Sequence, residues 1–321
     1  MVAMHTLSAS SERSISLEAP AKLNLSLAVL ARRADGYHDI ESLMVGVTLA
    51  DTIVVRATDA SGIVLRLRYG PGLAGSPLAA DVPAGPDNLV VRAAAALAAE
   101  AGLGRGLHID LVKRVPAGSG LGGGSSDAAA VLRGAARAWG LDWGPERLAA
   151  IGAGIGSDVP FFFAGGPAVA RGRGERLEPV PAIPPLPVVI ARPAAGLSTA
   201  AVYAESRPDA ARRGDAGRLA AALAHGGLRA ALPLLHNALE EPARRLCPDV
   251  DRLLAAFARA GAACPRLTGS GSACFALCRT ATEARTIAAR LAAARDSTGG
   301  RLWPGVFTAR LVTTRGKPTA E

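Results

Sequence analysis

The sequence predicts an α+β fold of two domains, and three observations support that class. The chain has 321 residues, whereas a single domain has about 150. Half of the residues are hydrophobic, which is enough to bury a sizeable core. Strand-like and helix-like segments follow one another, and a segment at 179–187 with five prolines in nine residues divides them. We therefore expect an N-terminal domain at residues 15–177 and a C-terminal domain at residues 178–315.

The N-terminal part is predicted to be rich in strands. From Ile15 apolar and polar side chains alternate, which is typical of a strand. One face of this strand carries Lys22, Asn24 and Ser26. Further strands are predicted at 52–56 and 63–69.

A strand, a glycine-rich turn and a helix follow. Residues 88–101 contain good helix formers and neither glycine nor proline, so they are predicted to be helical. A short strand is predicted at 108–115 and another helix at 125–139. Between them, residues 116–124 contain five glycines in nine positions, and we call this segment the glycine loop.

The C-terminal part again mixes both kinds of element. Strands are predicted at 188–191 and 273–278, and a helix at 282–294. Another helix is predicted from apolar side chains at helical spacing, namely Val250, Leu253, Leu254 and Phe257. Such a mixture is typical of the α+β class.

Charge and composition narrow the function classes. The net charge is +9, and residues 161–321 hold 22 basic against 12 acidic side chains, which allows an anionic ligand. These basic residues lack interleaved aromatic residues, so they predict a solvated surface rather than a nucleic-acid groove. No uncharged apolar run reaches the ~18 residues of a membrane span and no apolar leader precedes Ile15, so a cytoplasmic protein is expected. The four cysteines lack metal-ligand spacing and are expected to be buried thiols.

The glycine loop has the chemistry of a phosphate site. Its residues without side chains let backbone N–H groups converge on one point, and the dipole of the following helix favours an anion there. Ser125 or Ser126 would cap that helix and could contact phosphate or its metal. A glycine turn without a ligand is the alternative.

Two other phosphate motifs fit less well. The spacing Gly118-x-Gly120-x-x-Gly123 satisfies the dinucleotide pattern, but it begins more than a hundred residues into the chain. Moreover, the acid about twenty residues later, Asp142, does not follow a predicted strand. The Walker loop is excluded because no Gly-Lys-Ser/Thr follows the glycines.

Three segments together resemble the GHMP small-molecule kinases. The segment from Pro116 to Ala128 is similar to the second motif of that family, 19–25 to the first and 267–274 to the third. The resemblance runs from about residue 16 to 312. It implies a two-domain GHMP kinase fold, with a sheet-rich N-terminal ATP-binding domain, a ferredoxin-like C-terminal domain and an active site in the cleft. The implied activity is phosphoryl transfer from ATP to an alcohol.

Within the family, segments 33–38 and 156–160 resemble the members whose alcohol carries a cytidine diphosphate. A homoserine or mevalonate type of kinase is the alternative in the same fold. A non-catalytic nucleotide-binding module and a basic nucleic-acid binder are the alternatives from other classes. The expected partners are ATP and a cytidine-diphosphate small molecule, with no nucleic acid, no membrane and at most a weak homodimer.

The resemblance also implies roles for two charged residues. Asp158 matches the catalytic aspartate, the general base for the substrate hydroxyl, and Lys22 matches the lysine that keeps this acid ionised and stabilises developing negative charge. A reaction that depends mainly on orientation is the alternative. Without the resemblance, Lys22 would be a solvated strand residue and Asp158 a turn cap.

Nucleotide and substrate contacts follow from the same match. ATP and Mg²⁺ are the implied cofactors, and no metal ligands are assigned. The residues matched to nucleotide binding are Asn88, Lys113, Pro116, Gly118, Gly120, Leu121, Gly122, Gly123, Gly124, Ser125 and Ser126, of which Asn88 and Lys113 would border adenine. The residues matched to the second substrate are Asn24, Tyr37, His38, Tyr203, Gly269, Ser270 and Gly271. The two tyrosines would stack on cytosine.

Overall fold

A computed structural model describes residues 14–79 and 82–313. Within these residues it contains eleven strands and nine α-helices. The strands are β1 (Ile15–Arg32), β2 (His38–Thr58), β3 (Ile63–Tyr69), β4 (Gly106–Lys113), β5 (Ala168–Gly172), β6 (Arg176–Pro179), β7 (Pro187–Arg192), β8 (His236–Asn237), β9 (Arg266–Leu267), β10 (Cys274–Leu277) and β11 (Gly305–Val312). The helices are α1 (Leu89–Glu100), α2 (Gly123–Ala138), α3 (Pro145–Ala153), α4 (Thr199–Ala204), α5 (Asp215–Ala221), α6 (Gly227–Ala231), α7 (Glu240–Leu246), α8 (Pro248–Arg259) and α9 (Ala281–Ala293).

Strand β2 is the centre of the sheet. It pairs antiparallel with β1, β4, β5 and β11, and the longest path through the sheet runs β3-β4-β2-β11-β7-β10-β9. Strand β11 pairs with β2 at Leu311↔Val47 and Val312↔Gly46 and, further along, with β7. The last strand of the chain therefore joins the sheet of the first half to that of the second. This mixture of helices and strands confirms the predicted α+β class, and the predicted domain bounds stay a prediction.

Helices cover the sheet on the faces that their apolar residues select. In the first half, α2 packs on β1 and β2 and α1 packs on α2 and β3, through a core that includes Val55, Leu97 and Val131. In the second half, α8 and α9 pack against β7 and β10. The four residues that predicted α8 by their spacing are all buried, so the helical period correctly marked its core-facing side.

The predicted elements agree with the structure except in one strand. The third predicted strand, at 63–69, is β3, and the other predicted strands and helices differ by a few residues at their ends. The second strand, expected at 52–56, instead spans 38–58. Residues 38–51 were missed because they include the charged residues Glu41 and Asp51, which the structure buries with hydrogen-bonding partners.

Two expectations drawn from composition can be compared with the described residues. Among them, no helix is long and apolar enough to cross a membrane. Cys247, Cys274 and Cys278 are buried free thiols, as expected, whereas Cys264 is only partly buried.

Candidate active site

One cavity of about 630 Å³ brings both halves of the chain together. Its walls include both predicted catalytic residues, all seven predicted substrate residues and four of the predicted nucleotide-binding residues. From the predicted set, the lining residues are Lys22, Asn24, Tyr37, His38, Gly118, Gly120, Gly122, Ser125, Asp158, Tyr203, Gly269, Ser270 and Gly271. Residues separated by up to 249 positions in the chain thus share one site.

Lys22 and Asp158 form an ion pair on the cavity wall. The Lys22 ammonium lies 3.3 Å from Asp158 Oδ2 and donates to Asn24 Oδ1 at 2.7 Å and to the Gly120 carbonyl at 3.0 Å. The lysine side chain is 4% exposed and that of the aspartate is 37% exposed. The Lys22 ammonium is therefore held by protein groups. The Asp158 carboxylate is partly exposed to the cavity, where a hydroxyl could approach.

Strand β1 presents Lys22 because its polar face is covered. The backbone N–H of Lys22 donates to the Leu121 carbonyl at 2.9 Å, and that of Asn24 donates to Thr268 Oγ1 at 3.0 Å. Asn24 Nδ2 donates to Ser42 Oγ at 2.7 Å. The structure thus gives the Asn24 amide two partners inside the protein, and this side chain orients Lys22 at the cavity edge.

The glycine loop curls over the start of α2. Gly120 and Gly122 both have left-handed backbones, with φ of +78° and +69°, a region that favours glycine. A side chain at Gly122 would meet the stem of Lys22 at 2.9 Å. Close contact between the loop and Lys22 therefore depends on glycine at this position.

A second glycine turn, residues 268–272, closes the cavity from the C-terminal half. Asn237 Nδ2 donates to the carbonyls of Leu267 and Gly269, at 2.9 Å each. Ser270 Oγ lies 2.8 Å from Thr199 Oγ1. Asn237 is 5% exposed and lies outside the cavity lining, so it supports the turn without reaching the ligand space.

Three aromatic side chains, Tyr37, His38 and Tyr203, form part of the cavity wall. Tyr37 is 53% exposed, and the Arg173 guanidinium carbon lies 4.9 Å from its ring centroid. The rings of His38 and Tyr203 are 5.3 Å apart and tilted by 32°. Burial, with a smaller effect from Arg32, lowers the pKa of His38, which favours the neutral imidazole. Burial also raises the pKa of the Tyr203 hydroxyl.

Some predicted nucleotide-binding side chains lie elsewhere. The Lys113 ammonium is buried between Asp51 and Asp127; that the Lys113 position borders adenine stays a prediction. The side-chain oxygen of Asn88, Oδ1, caps α1 by accepting from the Val90 N–H. Its side-chain nitrogen, Nδ2, donates to the Pro83 carbonyl at 2.6 Å. The amide nitrogen has a second hydrogen, and its contact with adenine stays a prediction.

Five other residues matched to nucleotide binding also do not line the cavity. Leu121 and Ser126 are fully buried, whereas Ser125 lines the cavity; a phosphate contact by Ser126 stays a prediction. Pro116, Gly123 and Gly124 also lie outside the lining. Whether their backbones contact a nucleotide stays a prediction.

The cavity also contains residues that the sequence analysis missed. Arg32, Ser157, Arg173, Leu197 and Thr199 all line it. The two arginines resembled surface charges in the sequence, because single arginines are common along the chain. The one available signal for Arg173 was its place between two glycines directly after a strand.

Gly120 provides a test of how closely the two glycine turns fit. A Cβ there would lie 2.2 Å from the Thr268 carbonyl oxygen, so Gly120→Ala should destabilise the fold by about 2–4 kcal/mol. Urea unfolding measures this loss. The matched control is Gly217→Ala in α5, where no atom lies within 4 Å, and it should be neutral or stabilising by up to about 1 kcal/mol. Wild-type stability in Gly120→Ala would contradict the contact.

Family models and known proteins resemble the chain over most of its length. The GHMP kinases N terminal domain matches residues 88–166, and the GHMP kinases C terminal domain matches 209–296. A 4-diphosphocytidyl-2-C-methyl-D-erythritol kinase from Granulibacter bethesdensis is 42% identical over 293 residues, which are 89% of this chain and 92% of that protein. The corresponding kinase from Shouchella clausii is 40% identical over 262 residues, 82% of this chain and 85% of that protein.

Solved structures of kinases also resemble the chain. A crystal structure of 4-(cytidine 5'-diphospho)-2C-methyl-D-erythritol kinase matches with a TM-score of 0.72 at 35% identity, over 92% of this chain and 99% of that one. Homoserine kinase from Cytophaga hutchinsonii has a TM-score of 0.73 at 20% identity, over 95% and 96% of the two chains, and it shares the fold.

The sheet order, the two glycine turns and these matches define the chain as a GHMP kinase. Within that class, it belongs to the 4-diphosphocytidyl-2-C-methyl-D-erythritol kinase family. Both the predicted fold class and the predicted family are thereby confirmed.

Proposed function

We propose that the chain transfers the γ-phosphoryl group of ATP to the C2 hydroxyl of 4-diphosphocytidyl-2-C-methyl-D-erythritol, giving the 2-phosphate and ADP, a step in isoprenoid precursor synthesis. The observation that carries the proposal is the placement of the Lys22–Asp158 pair, 3.3 Å apart, on the same cavity as the glycine loop. Relatives about 40% identical to the chain bear the name of that kinase.

The reaction needs a proton acceptor at the alcohol. Asp158 Oδ1 or Oδ2 takes the hydroxyl proton as the alcohol oxygen bonds to the γ-phosphorus and the bond to the β-phosphate oxygen breaks. Lys22 stays charged beside it, because its ammonium donates to Asn24 and Gly120 and faces the Asp158 carboxylate. That charge stabilises the anionic oxygens that develop during transfer.

Backbone groups would hold the triphosphate. Gly118, Gly120 and Gly122 line the cavity at the start of α2, where free N–H groups and the helix dipole attract anions. The turn at 268–272 packs against them, because a Cβ at Gly120 would lie only 2.2 Å from the Thr268 carbonyl oxygen. Together the two turns would enclose the reacting phosphate and exclude water.

Magnesium would come mainly with the nucleotide. Among residues 14–79 and 82–313, no group of three or more His, Cys, Asp or Glu side chains could hold a metal ion. Mg²⁺ is commonly held by substrate phosphates and water, and such a shell suits a site with few carboxylates. Bound in this way, the ion would neutralise phosphate charge during transfer.

The aromatic part of the cavity wall suits a cytidine diphosphate. Tyr37 has one face covered by Arg173 and its exposed ring is available to stack on a base. The neutral imidazole of His38 has one donor and one acceptor nitrogen, which match the edge of cytosine. Arg32 and Arg173 also line the cavity and bring positive charge to it, which would bind the diphosphate.

A coupled assay of ADP release tests the substrate. We expect turnover with 4-diphosphocytidyl-methylerythritol and not with homoserine or mevalonate, the substrates of the alternative kinases. Turnover only with homoserine or mevalonate would overturn the substrate assignment, and no ADP release with any of them would favour a nucleotide-binding module. Steeply salt-dependent binding to single-stranded or duplex DNA would favour the nucleic-acid alternative.

Tyr37 tests the stacking end by itself. We expect Tyr37→Ala to raise the KM for the cytidylyl substrate by about 10- to 100-fold, because one base-stacking contact is worth roughly 1–3 kcal/mol. The KM for ATP should change less than about twofold, since the proposed stacking contact is with cytosine and not with ATP. Tyr37→Phe keeps the ring and serves as the matched control. An unchanged KM for the cytidylyl substrate in Tyr37→Ala would disprove stacking.

A further inference from the structure

A group of three charged residues lies beneath the glycine loop, outside the cavity. Lys113 Nζ donates to Asp127 Oδ2 at 2.7 Å and to Asp51 Oδ2. Asp51 is 0% exposed, Asp127 2% and Lys113 3%. The proposed reaction uses none of these side chains, although taking three charges out of water is costly. We call Asp51, Lys113 and Asp127 the buried triad.

The buried triad connects the two ends of the glycine loop. Lys113 is the last residue of β4, and Asp127 is in the first turns of α2. Asp51 Oδ1 accepts from the backbone N–H groups of Arg114 and, at 2.8 Å, Val115. One member of the triad therefore lies just before the loop and another just after it, and Asp51, in β2, binds the backbone that enters the loop.

The loop packs directly on this group. A Cβ at Gly123 would lie 3.3 Å from Lys113 Nζ and 2.9 Å from Val115 Cγ1. Any shift of the ammonium would therefore be transmitted to the backbone at the start of α2, where the proposed phosphate-binding N–H groups are found. Close packing of this kind transmits small displacements because protein interiors are barely compressible.

The charge of the triad is also unusual. With both acids ionised it would be net negative beneath a loop that attracts anions. Burial, with a smaller effect from Asp51, raises the pKa of Asp127 to about 8 against the opposing effect of Lys113. Asp127 Oδ1 has no hydrogen-bonding partner among the described residues. Asp127 therefore acts mainly as a hydrogen-bond acceptor for Lys113 through Oδ2, a role that an asparagine oxygen can fill.

We propose that Asp51, Lys113 and Asp127 are positioning residues that hold the glycine loop in its nucleotide-binding conformation through the Lys113 ammonium. The proposal rests on the proposed function only for the choice of ATP as the nucleotide. None of the three touches the cavity, so their effect reaches the nucleotide through the backbone of the loop.

Asp127 gives the sharpest test, because removing it leaves Lys113 paired with Asp51. We expect Asp127→Ala to raise the dissociation constant of a non-hydrolysable ATP analogue, measured by titration calorimetry, by about tenfold or more. Asp127→Asn keeps the acceptor and should stay within about twofold of wild type. Lys113→Met should weaken binding at least as much as Asp127→Ala if it folds. The KM for the cytidylyl substrate should not change in any of these variants.

A control separates positioning from general stability. Glu41 is also buried and accepts from the Gly214 N–H at 2.7 Å, but it lies away from the glycine loop. Glu41→Ala should lower the melting temperature and leave affinity for the ATP analogue unchanged. Wild-type affinity in Asp127→Ala, equal losses in Asp127→Ala and Asp127→Asn, or a similar loss in Glu41→Ala would each overturn the proposal. Because the readout is binding, a chain without cytidylyl kinase activity would still give a result.

Discussion

Replacing Asp158 with asparagine is expected to lower kcat by about a thousandfold, or roughly 4 kcal/mol of transition-state stabilisation. The amide has the shape of the acid but cannot take the proton of the substrate hydroxyl. At 37% exposure the side chain contributes little to the core, so the fold should remain intact. Steady-state kinetics at saturating ATP and cytidylyl substrate measure the loss.

The control for Asp158→Asn is an exposed aspartate on the same half of the chain. Asp142 is exposed and lies outside the cavity lining, so Asp142→Asn should keep wild-type kcat. Affinity of Asp158→Asn for the ATP analogue should also match that of wild type, because the loop and not the acid holds the phosphates. A loss of kcat below about tenfold would mean that orientation supplies most of the catalysis, the alternative that the sequence left open.

Local periodicity predicted most helices and strands because each of them follows from the residues of its own segment. Helix α1 was expected at 88–101 and spans 89–100, since its helix formers are uninterrupted and Asn88 caps its start. Strand β2 was expected to be short, yet it has 21 residues. Its extra length depends on Glu41 and Asp51 finding buried partners far away in the chain, which periodicity does not reveal.

The site was predictable to the extent that its residues lie within motifs. The glycine loop follows from its composition, whereas the pairing of Lys22 with Asp158, 136 positions later, came from the resemblance alone. Alternation placed Lys22 on a strand face and could not say that the glycine loop covers that face. The same limit explains Lys113, since alternation does not show whether a lysine meets solvent, a ligand or two buried acids.

Replacing Lys22 is expected to lower kcat as much as replacing Asp158, by about a thousandfold. Lys22→Ala removes the charge beside the acid and also the donor to Asn24 and Gly120. Lys22→Met keeps most of the buried stem, so it separates charge from packing. Both variants should lose kcat alike, and Lys22→Ala should unfold at lower urea concentration because of the cavity it leaves.

The double variant Lys22→Met with Asp158→Asn shows whether the two groups act as one unit. At 3.3 Å the ammonium acts partly through its ion pair with Asp158, so once the acid is gone its removal should cost much less. We expect the double variant to have a kcat within about tenfold of either single variant, because residues that act as a unit are non-additive. Independent roles would multiply the two losses to about a millionfold. Measured kcat of the four proteins at saturating substrates decides between a coupled pair and two separate contributions.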